Sequence, residues 1–182
     1  MSAPPSASGL IASGAGAFSD AELNTIEQLG DRLALIKAPL GAYNLVDHNK
    51  RITKVAAIGH DAANKWIYDR MIKVVHVLNR RYRFEIDGFR EPLQFMVYRD
   101  VDGAHFNWHI DQGPSVQRKL SLTLQLTDPA SYEGGDLEFK AGNEITSAAR
   151  VRGTLIAFPS HLVHRVTPVT SGTRKSIVAW VA

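Results

Sequence analysis

Residues 120–126, Leu120-Ser121-Leu122-Thr123-Leu124-Gln125-Leu126, alternate apolar and polar side chains without a break, the period of a β-strand. The same period recurs on both sides. Arg83 to Ile86, Leu93 to Arg99, His105 to His109, Asp136 to Phe139, Thr154 to Phe158, His164 to Val169 and Ser176 to Val181 also read as strands, punctuated by Asp87-Gly88, Asp102-Gly103, Gly134-Gly135 and Ser171-Gly172. Upstream the period is helical. Ser19 followed by Glu22 is a capping-box pattern, and Leu23, Ile26, Leu29 and Leu33 predict an amphipathic helix to about Leu35. Asp61 is placed to cap a second helix with an apolar stripe of Trp66, Ile67, Met71, Val74, Val75 and Leu78. Tyr43 to Ala57 has no clean period and reads as loop with room for one short strand. Helices followed by a run of strands predict an α+β chain, mainly β: a sandwich or jelly roll with N-terminal helices packed on one sheet.

The chain has 182 residues, enough for one domain with a real core, expected over 18–182. Residues 1–17 are mostly Ser, Ala, Gly and Pro with few large apolar groups and read as a flexible tail. With no cysteine, thiol catalysis and thiolate metal sites are excluded, so any bound metal must use His and carboxylate. No run of about 18 apolar residues occurs, and the start lacks the features of a secretory signal, so no membrane partner and a cytoplasmic location are expected. The net charge of +3 is mild. Its densest patch, Arg80-Arg81-Tyr82-Arg83, falls where a helix should end and cations complement its dipole, which argues against nucleic acid.

Chemistry concentrates around Trp108-His109-Ile110-Asp111. Residues two apart on a strand share a face, so His109 and Asp111 present an imidazole and a carboxylate to one point. His161 and His164 compete for the third place, and strand parity admits only one. Pro159-Ser160 reads as a turn, which puts His164 at the start of a strand and leaves His161 in the connection. Two histidines and one carboxylate are the set that holds Fe(II) with positions left open. His105 shares the face of His109 but lies roughly 13 Å away by strand rise. Arg174 and Ser176, at alternate strand positions, form a fork for a carboxylate, with Lys175 pointing away.

Over residues 93 to 181 the chain resembles the 2-oxoglutarate- and Fe(II)-dependent dioxygenases, in the prolyl 4-hydroxylase-type branch and closest to its small bacterial and phage members. The likeness is carried by Gln94-Phe95-Met96-Val97-Tyr98, Trp108-His109-Ile110-Asp111, Arg118-Lys119-Leu120-Ser121-Leu122, Tyr132-Glu133-Gly134-Gly135-Asp136-Leu137, Phe158-Pro159-Ser160, His164-Arg165-Val166-Thr167-Pro168-Val169 and Arg174-Lys175-Ser176. It implies a double-stranded β-helix, Fe(II) on His109, Asp111 and His164, and the distal carboxylate of 2-oxoglutarate on Arg174. It also implies O2 as oxidant, succinate and CO2 as co-products, ascorbate as a supporting reductant, and hydroxylation of a prolyl or related side chain in a peptide, protein or free amino acid. Relatives bring a tyrosine to that carboxylate where this chain has Gln125, which leaves Thr123, Gln125 and Ser176 as candidates for the second donor. Tyr98 matches a tyrosine lining the co-substrate pocket.

Leu124, Leu155 and Phe158 are expected to keep water from the site. Specificity is assigned to the loops Tyr43 to Lys54, Asp87 to Glu91 and Gln112 to Gln117, with Asn44, Asp47 and His48 in reach of substrate and Gly113-Pro114-Ser115 as a lid. Two other functions compete. An oxidative nucleic-acid demethylase would carry a second arginine where Trp180 stands, and a non-catalytic β-sandwich would merely bind the metal.

Overall fold

The computed structural model describes residues 7–38, 47, 49–112 and 117–182. Asn44, His48 and the Gly113-Pro114-Ser115 segment therefore lie outside the described residues. In chain order the elements are β1 (Ala12–Gly14), α1 (Asp20–Arg32), β2 (Ile36–Lys37), β3 (Arg51–Ile52), β4 (Lys54–Ile58), α2 (Lys65–Asn79), β5 (Leu93–Arg99), β6 (His105–His109) and β7 (Leu120–Gln125). There follow β8 (Tyr132–Gly134), β9 (Leu137–Ala141), β10 (Glu144–Ser147), β11 (Leu155–Pro159), β12 (Val163–Val166) and β13 (Val169–Val181).

Two antiparallel sheets face each other in a double-stranded β-helix. The larger runs β1-β11-β7-β13-β5-β4-β2 and the smaller β10-β9-β12-β6-β3. Alternation in β7 builds the layers. Leu120, Leu122 and Leu124 point to one side, where they join Phe95, Val97, Ile177 and Ala179 and meet Leu23 and Ile26 of α1 and Ile67, Met71 and Val75 of α2. Burial of each such side chain contributes roughly 1.5–3 kcal/mol. On the other side, Ser121, Thr123 and Gln125 are buried between the sheets, beside a second cluster that includes Met96, Tyr98, Phe139, Ile156 and Phe158. One sheet therefore has an apolar back for the helices and a partly polar front.

Helix α1 begins as the sequence predicts. The Ser19 hydroxyl accepts from the Glu22 amide at 3.3 Å while the Ser19 amide donates to Glu22 Oε2 at 2.8 Å. Gly30 lets it close on the sheet, since a Cβ there would lie 2.3 Å from the Phe95 ring. Helix α2 differs from expectation at its start. Asn64, not Asp61, is the N-cap; Asp61 Oδ1 instead accepts from the Ala63 and Asn64 amides and holds the preceding turn.

Three other expectations are corrected. The stretch read as tail contributes β1, whose Ala12 and Ser13 pair with Ala157 and Ile156 at the sheet edge. The sequence signal was weak there because small residues bury little area, and pairing with a neighbour supplies the order. Arg83 to Ile86 is not a strand; Arg83 takes φ of 57°, which breaks an extended run, while Tyr82, Phe84 and Ile86 pack on the helix-side core. Tyr43 to Ala57 holds more than one short strand, since both β3 and β4 fall within or across its end. Among the described residues, no helix is long and apolar enough to cross a membrane.

Candidate active site

Register brings the two histidines together. β12 pairs with β6 so that His164 stands directly opposite His109, and their rings lie 4.1 Å apart. Asp111 follows β6 and is pinned from behind, its amide and that of Gln112 both donating to the Ser160 carbonyl at 2.9 and 3.1 Å. His109, Asp111 and His164 each offer a ligand atom within 4.8 Å of the others. His109 Nε2 is 3.7 Å from Asp111 Oδ1, and His164 Nε2 is 3.5 Å from Asp111 Oδ2.

Backbone carbonyls orient both rings. Nδ1–H of His109 donates to the Asn107 carbonyl at 2.7 Å and Nδ1–H of His164 to the Leu162 carbonyl at 2.9 Å, which leaves each Nε2 lone pair turned to the shared point. Burial, then the neighbouring His164, push the His109 imidazole down to about 3, so it is neutral and ready to ligate near pH 7. Burial alone would raise the Asp111 carboxyl, yet the two imidazoles, the Ser121 hydroxyl and the Trp180 indole hold it below the ordinary value. The Ser121 bond is 2.7 Å and continues to Ser160 Oγ at 3.0 Å. The Trp180 indole N–H is buried and faces that carboxylate without reaching hydrogen-bond geometry.

The donor set, two imidazoles and a carboxylate, suits Fe(II). Aromatic walls enclose it. Phe106 stacks on His109 at 3.4 Å, and Phe158 meets His164 edge-on at 4.7 Å. Leu124 and Leu155, expected as further walls, belong to the helix-side core, because their parity on β7 and β11 turns them outward.

Deeper between the sheets, Arg174 is 2% exposed. Its Nη2 donates to Gln125 Oε1 at 2.9 Å, and Gln125 Nε2 donates in turn to the Ala149 carbonyl at 3.1 Å. Arg174 Nε and Ser176 Oγ are buried without a hydrogen-bond partner. A buried guanidinium with spare donors implies an anion, and the carboxylate of 2-oxoglutarate fits that need. Tyr98, opposite Arg174 in the β5–β13 register, places its ring centroid 5.5 Å from the guanidinium carbon. Thr123 is buried on the same face as Ser121 and Gln125. Lys175 points away, to Asp31 and Glu27 of α1.

The double glycine at the end of β8 packs close against the Pro168 backbone and the Arg174 side chain. Gly134 has φ of 68° and a Cβ on it would meet the Pro168 carbonyl at 2.0 Å; one on Gly135 would press on the Arg174 side chain at 3.0 Å.

Other candidates fall elsewhere. His161 is exposed on the turn, and His105 Nδ1 is engaged by the Gly103 carbonyl. Asp47 accepts from the Asn49 amide. Arg81 and Tyr82 bind the Gly9 and Leu10 carbonyls and tether the chain start. Several neighbours of the site were not singled out from sequence: Ser121, Ser160, Phe106 and Arg51. Ser121 alone had a usable signal, since it continues the polar face of Thr123 and Gln125.

The fold and site define a jelly-roll protein with a His-x-Asp and distal His metal centre. Comparison with known proteins gives the family. The 2OG-Fe(II) oxygenase superfamily model matches residues 93–182. A PKHD-type hydroxylase of Synechococcus sp. (strain CC9311) is 31% identical over 166 residues, covering 86% of this chain and 72% of that protein. The chain belongs to the 2OG-Fe(II) oxygenase superfamily, whose members use Fe(II), 2-oxoglutarate and O2. A second PKHD-type hydroxylase, of Synechococcus sp. (strain CC9605), is 38% identical over 95 residues, 50% of this chain. With it and with the relative from Hyphomonas neptunium, the chain spans only 43% and 47% of the relative's length.

Solved structures share the fold. A Pseudomonas putida prolyl-4-hydroxylase superposes with a TM-score of 0.74 at 20% identity, covering 94% of this chain and 91% of that one. A prolyl hydroxylase from Trichoplax adhaerens, solved with a hypoxia inducible factor peptide fragment, gives 0.73 at 19% identity, covering 94% and 82%.

Proposed function

We propose that this chain is a 2-oxoglutarate- and Fe(II)-dependent dioxygenase that hydroxylates a C–H bond of a prolyl or related side chain. The observation that carries this reading is the convergence of His109, Asp111 and His164 beside a buried Arg174 that keeps a spare donor. The two Nε2 atoms and an Asp111 oxygen would hold the iron. Arg174 Nε and Ser176 Oγ would take the distal carboxylate, with Gln125 fixing the guanidinium and Tyr98 and Thr123 lining the pocket. When bound, iron and co-substrate supply the oxidation: 2-oxoglutarate becomes succinate and CO2 while O2 delivers a hydroxyl group to the substrate C–H.

The chain's own part is positioning and exclusion. Ser121 orients Asp111, Asn107 and Leu162 set the ring tautomers, and Phe106 and Phe158 keep water from the imidazoles. Residues 18–182, extended back to include β1, would form the catalytic domain. A peptide or protein substrate is supported by the peptide found with the Trichoplax relative, and a free amino acid carries the same side chain.

The test is succinate formation from 2-oxoglutarate. It should require Fe(II) and disappear in His109→Ala and Asp111→Ala; turnover retained in both would overturn the proposal.

A further inference from the structure

One row of the larger sheet lies against the metal ligands. Ser121 of β7 pairs with Phe158 of β11 on one side and with Trp180 of β13 on the other, and directly opposed residues share a face. Phe158 meets His164 edge-on and the Ser121 hydroxyl donates to Asp111 Oδ2. Trp180 completes the row. It is buried on the site side of β13, while its neighbours Ala179 and Val181 face the helices.

The indole is held in place by Arg118. That guanidinium lies over the Trp180 ring at 3.7 Å, a cation–π contact. It also donates from Nε to Glu91 Oε1 at 2.6 Å and from Nη1 to the Asp111 carbonyl at 3.1 Å. Arg118 thus ties the indole and the main chain of Asp111 to the same group, so that ring and ligand keep a fixed relation.

Stacking accounts for the ring and not for the N–H. Trp180 Nε1 is buried, has no hydrogen-bond partner among the described residues and faces the Asp111 carboxylate. Burying a donor without an acceptor is unfavourable, and a phenylalanine would fill the row and lie under Arg118 without that cost. Asp111 can supply the acceptor. An ionised carboxylate offers about four lone-pair sites, and here Ser121 takes one, so a ligand bond and a further hydrogen bond can both be made.

We infer that Trp180 is a positioning residue of the metal centre, its indole N–H donating to the Asp111 carboxylate when the metal is bound. The inference rests on the reading of His109, Asp111 and His164 as metal ligands. Two donors from neighbouring strands, the Ser121 hydroxyl and the Trp180 indole, then set the carboxylate from behind. A donor that gains its acceptor as the metal binds returns its burial cost as metal affinity.

The test is a Zn(II) titration of the full chain, followed by the proton–nitrogen correlation signals of the indole N–H groups. The chain has three tryptophans, Trp66, Trp108 and Trp180, and the single variants Trp66→Phe and Trp108→Phe identify the Trp180 signal by elimination. Zn(II) should move that proton downfield, as a new hydrogen bond to a carboxylate does, and leave Trp66, on the helix side of the sheet, where it was. Trp180→Phe should weaken Zn(II) binding about tenfold with a nearly unchanged melting temperature. Replacement of Trp180 by benzothienylalanine, which keeps a bicyclic ring under Arg118 and drops only the N–H, should weaken it as much. A Trp180 signal unmoved at saturating Zn(II), or the parent affinity in the benzothienylalanine chain, would overturn the role. So would a signal that moves only when a prolyl peptide is added, since the donor would then serve the substrate. Failure of the parent chain to bind Zn(II) would overturn the metal centre and this role with it, whereas a Trp180 response beside a failed succinate assay would count against the proposed reaction alone.

Discussion

Ser121 Oγ donates to Asp111 Oδ2 at 2.7 Å, from β7, which pairs with the β11 strand that leads into Ser160. The bond fixes the carboxylate rotamer and directs its other oxygen toward His109. Groups that orient a metal ligand typically govern about 10–100-fold in metal affinity. Ser121→Ala should therefore weaken Fe(II) or Co(II) binding by about that factor with a nearly unchanged melting temperature, and Ser121→Thr should restore most of it. Metal titration followed by absorbance checks both; unchanged affinity in the alanine variant would remove Ser121 from the positioning role.

Gln125 Oε1 accepts from Arg174 Nη2 and holds the guanidinium in place. Replacing it with Leu leaves Arg174 Nη2 buried with no acceptor, and a hydrogen bond to a charged group is worth about 1.5–3 kcal/mol. Gln125→Leu should raise the Kd for 2-oxoglutarate by roughly 10–100-fold. Calorimetric titration of the Mn(II)-loaded protein reads it directly.

Acid should destabilise the metal-free chain. Folded His109 is depressed from 6.5 to about 3, so between those values the unfolded chain binds more protons and stability falls as pH falls. Asp111, also lowered, acts in the same direction, its contribution being lost as pH drops through its folded value. The Tm should be flat above neutrality and decline below about 6.5, with a shallower decline in His109→Gln. A Tm that rises on acidification would contradict the burial argument.

Gly30→Ala should cost about 1–3 kcal/mol, because its Cβ would overlap the fully buried Phe95 ring and force α1 off the sheet. Urea denaturation measures the loss. Metal affinity should survive in the folded fraction, since α1 touches the far side of the larger sheet.

Much of this was legible because β-structure writes its period into the sequence. The alternation of Leu120 to Leu126 gave a strand and also separated a helix-facing side from a site-facing one. His109 and Asp111 followed from the same parity, and His164 from the turn at Pro159-Ser160. What escaped detection depended on pairing across the chain. Ala12–Gly14 has little hydrophobic signal and is ordered by β11, while β3 and β4 are short and mixed in character because they sit where one sheet gives way to the other. Arg51 was hidden for that reason, as a charged residue in what read as loop. The acidic partners of Lys175 were equally invisible, since Asp31 and Glu27 come from a helix well over a hundred residues away in sequence.

The central claim is a single ferrous ion held by three side chains with 2-oxoglutarate gripped by Arg174. Anaerobic mixing of the protein with Fe(II) and 2-oxoglutarate should produce a visible metal-to-ligand absorption band that bleaches when O2 is admitted and that fails to form in His164→Ala or Arg174→Ala. A band of full intensity in both variants, or none in the parent chain, would contradict it.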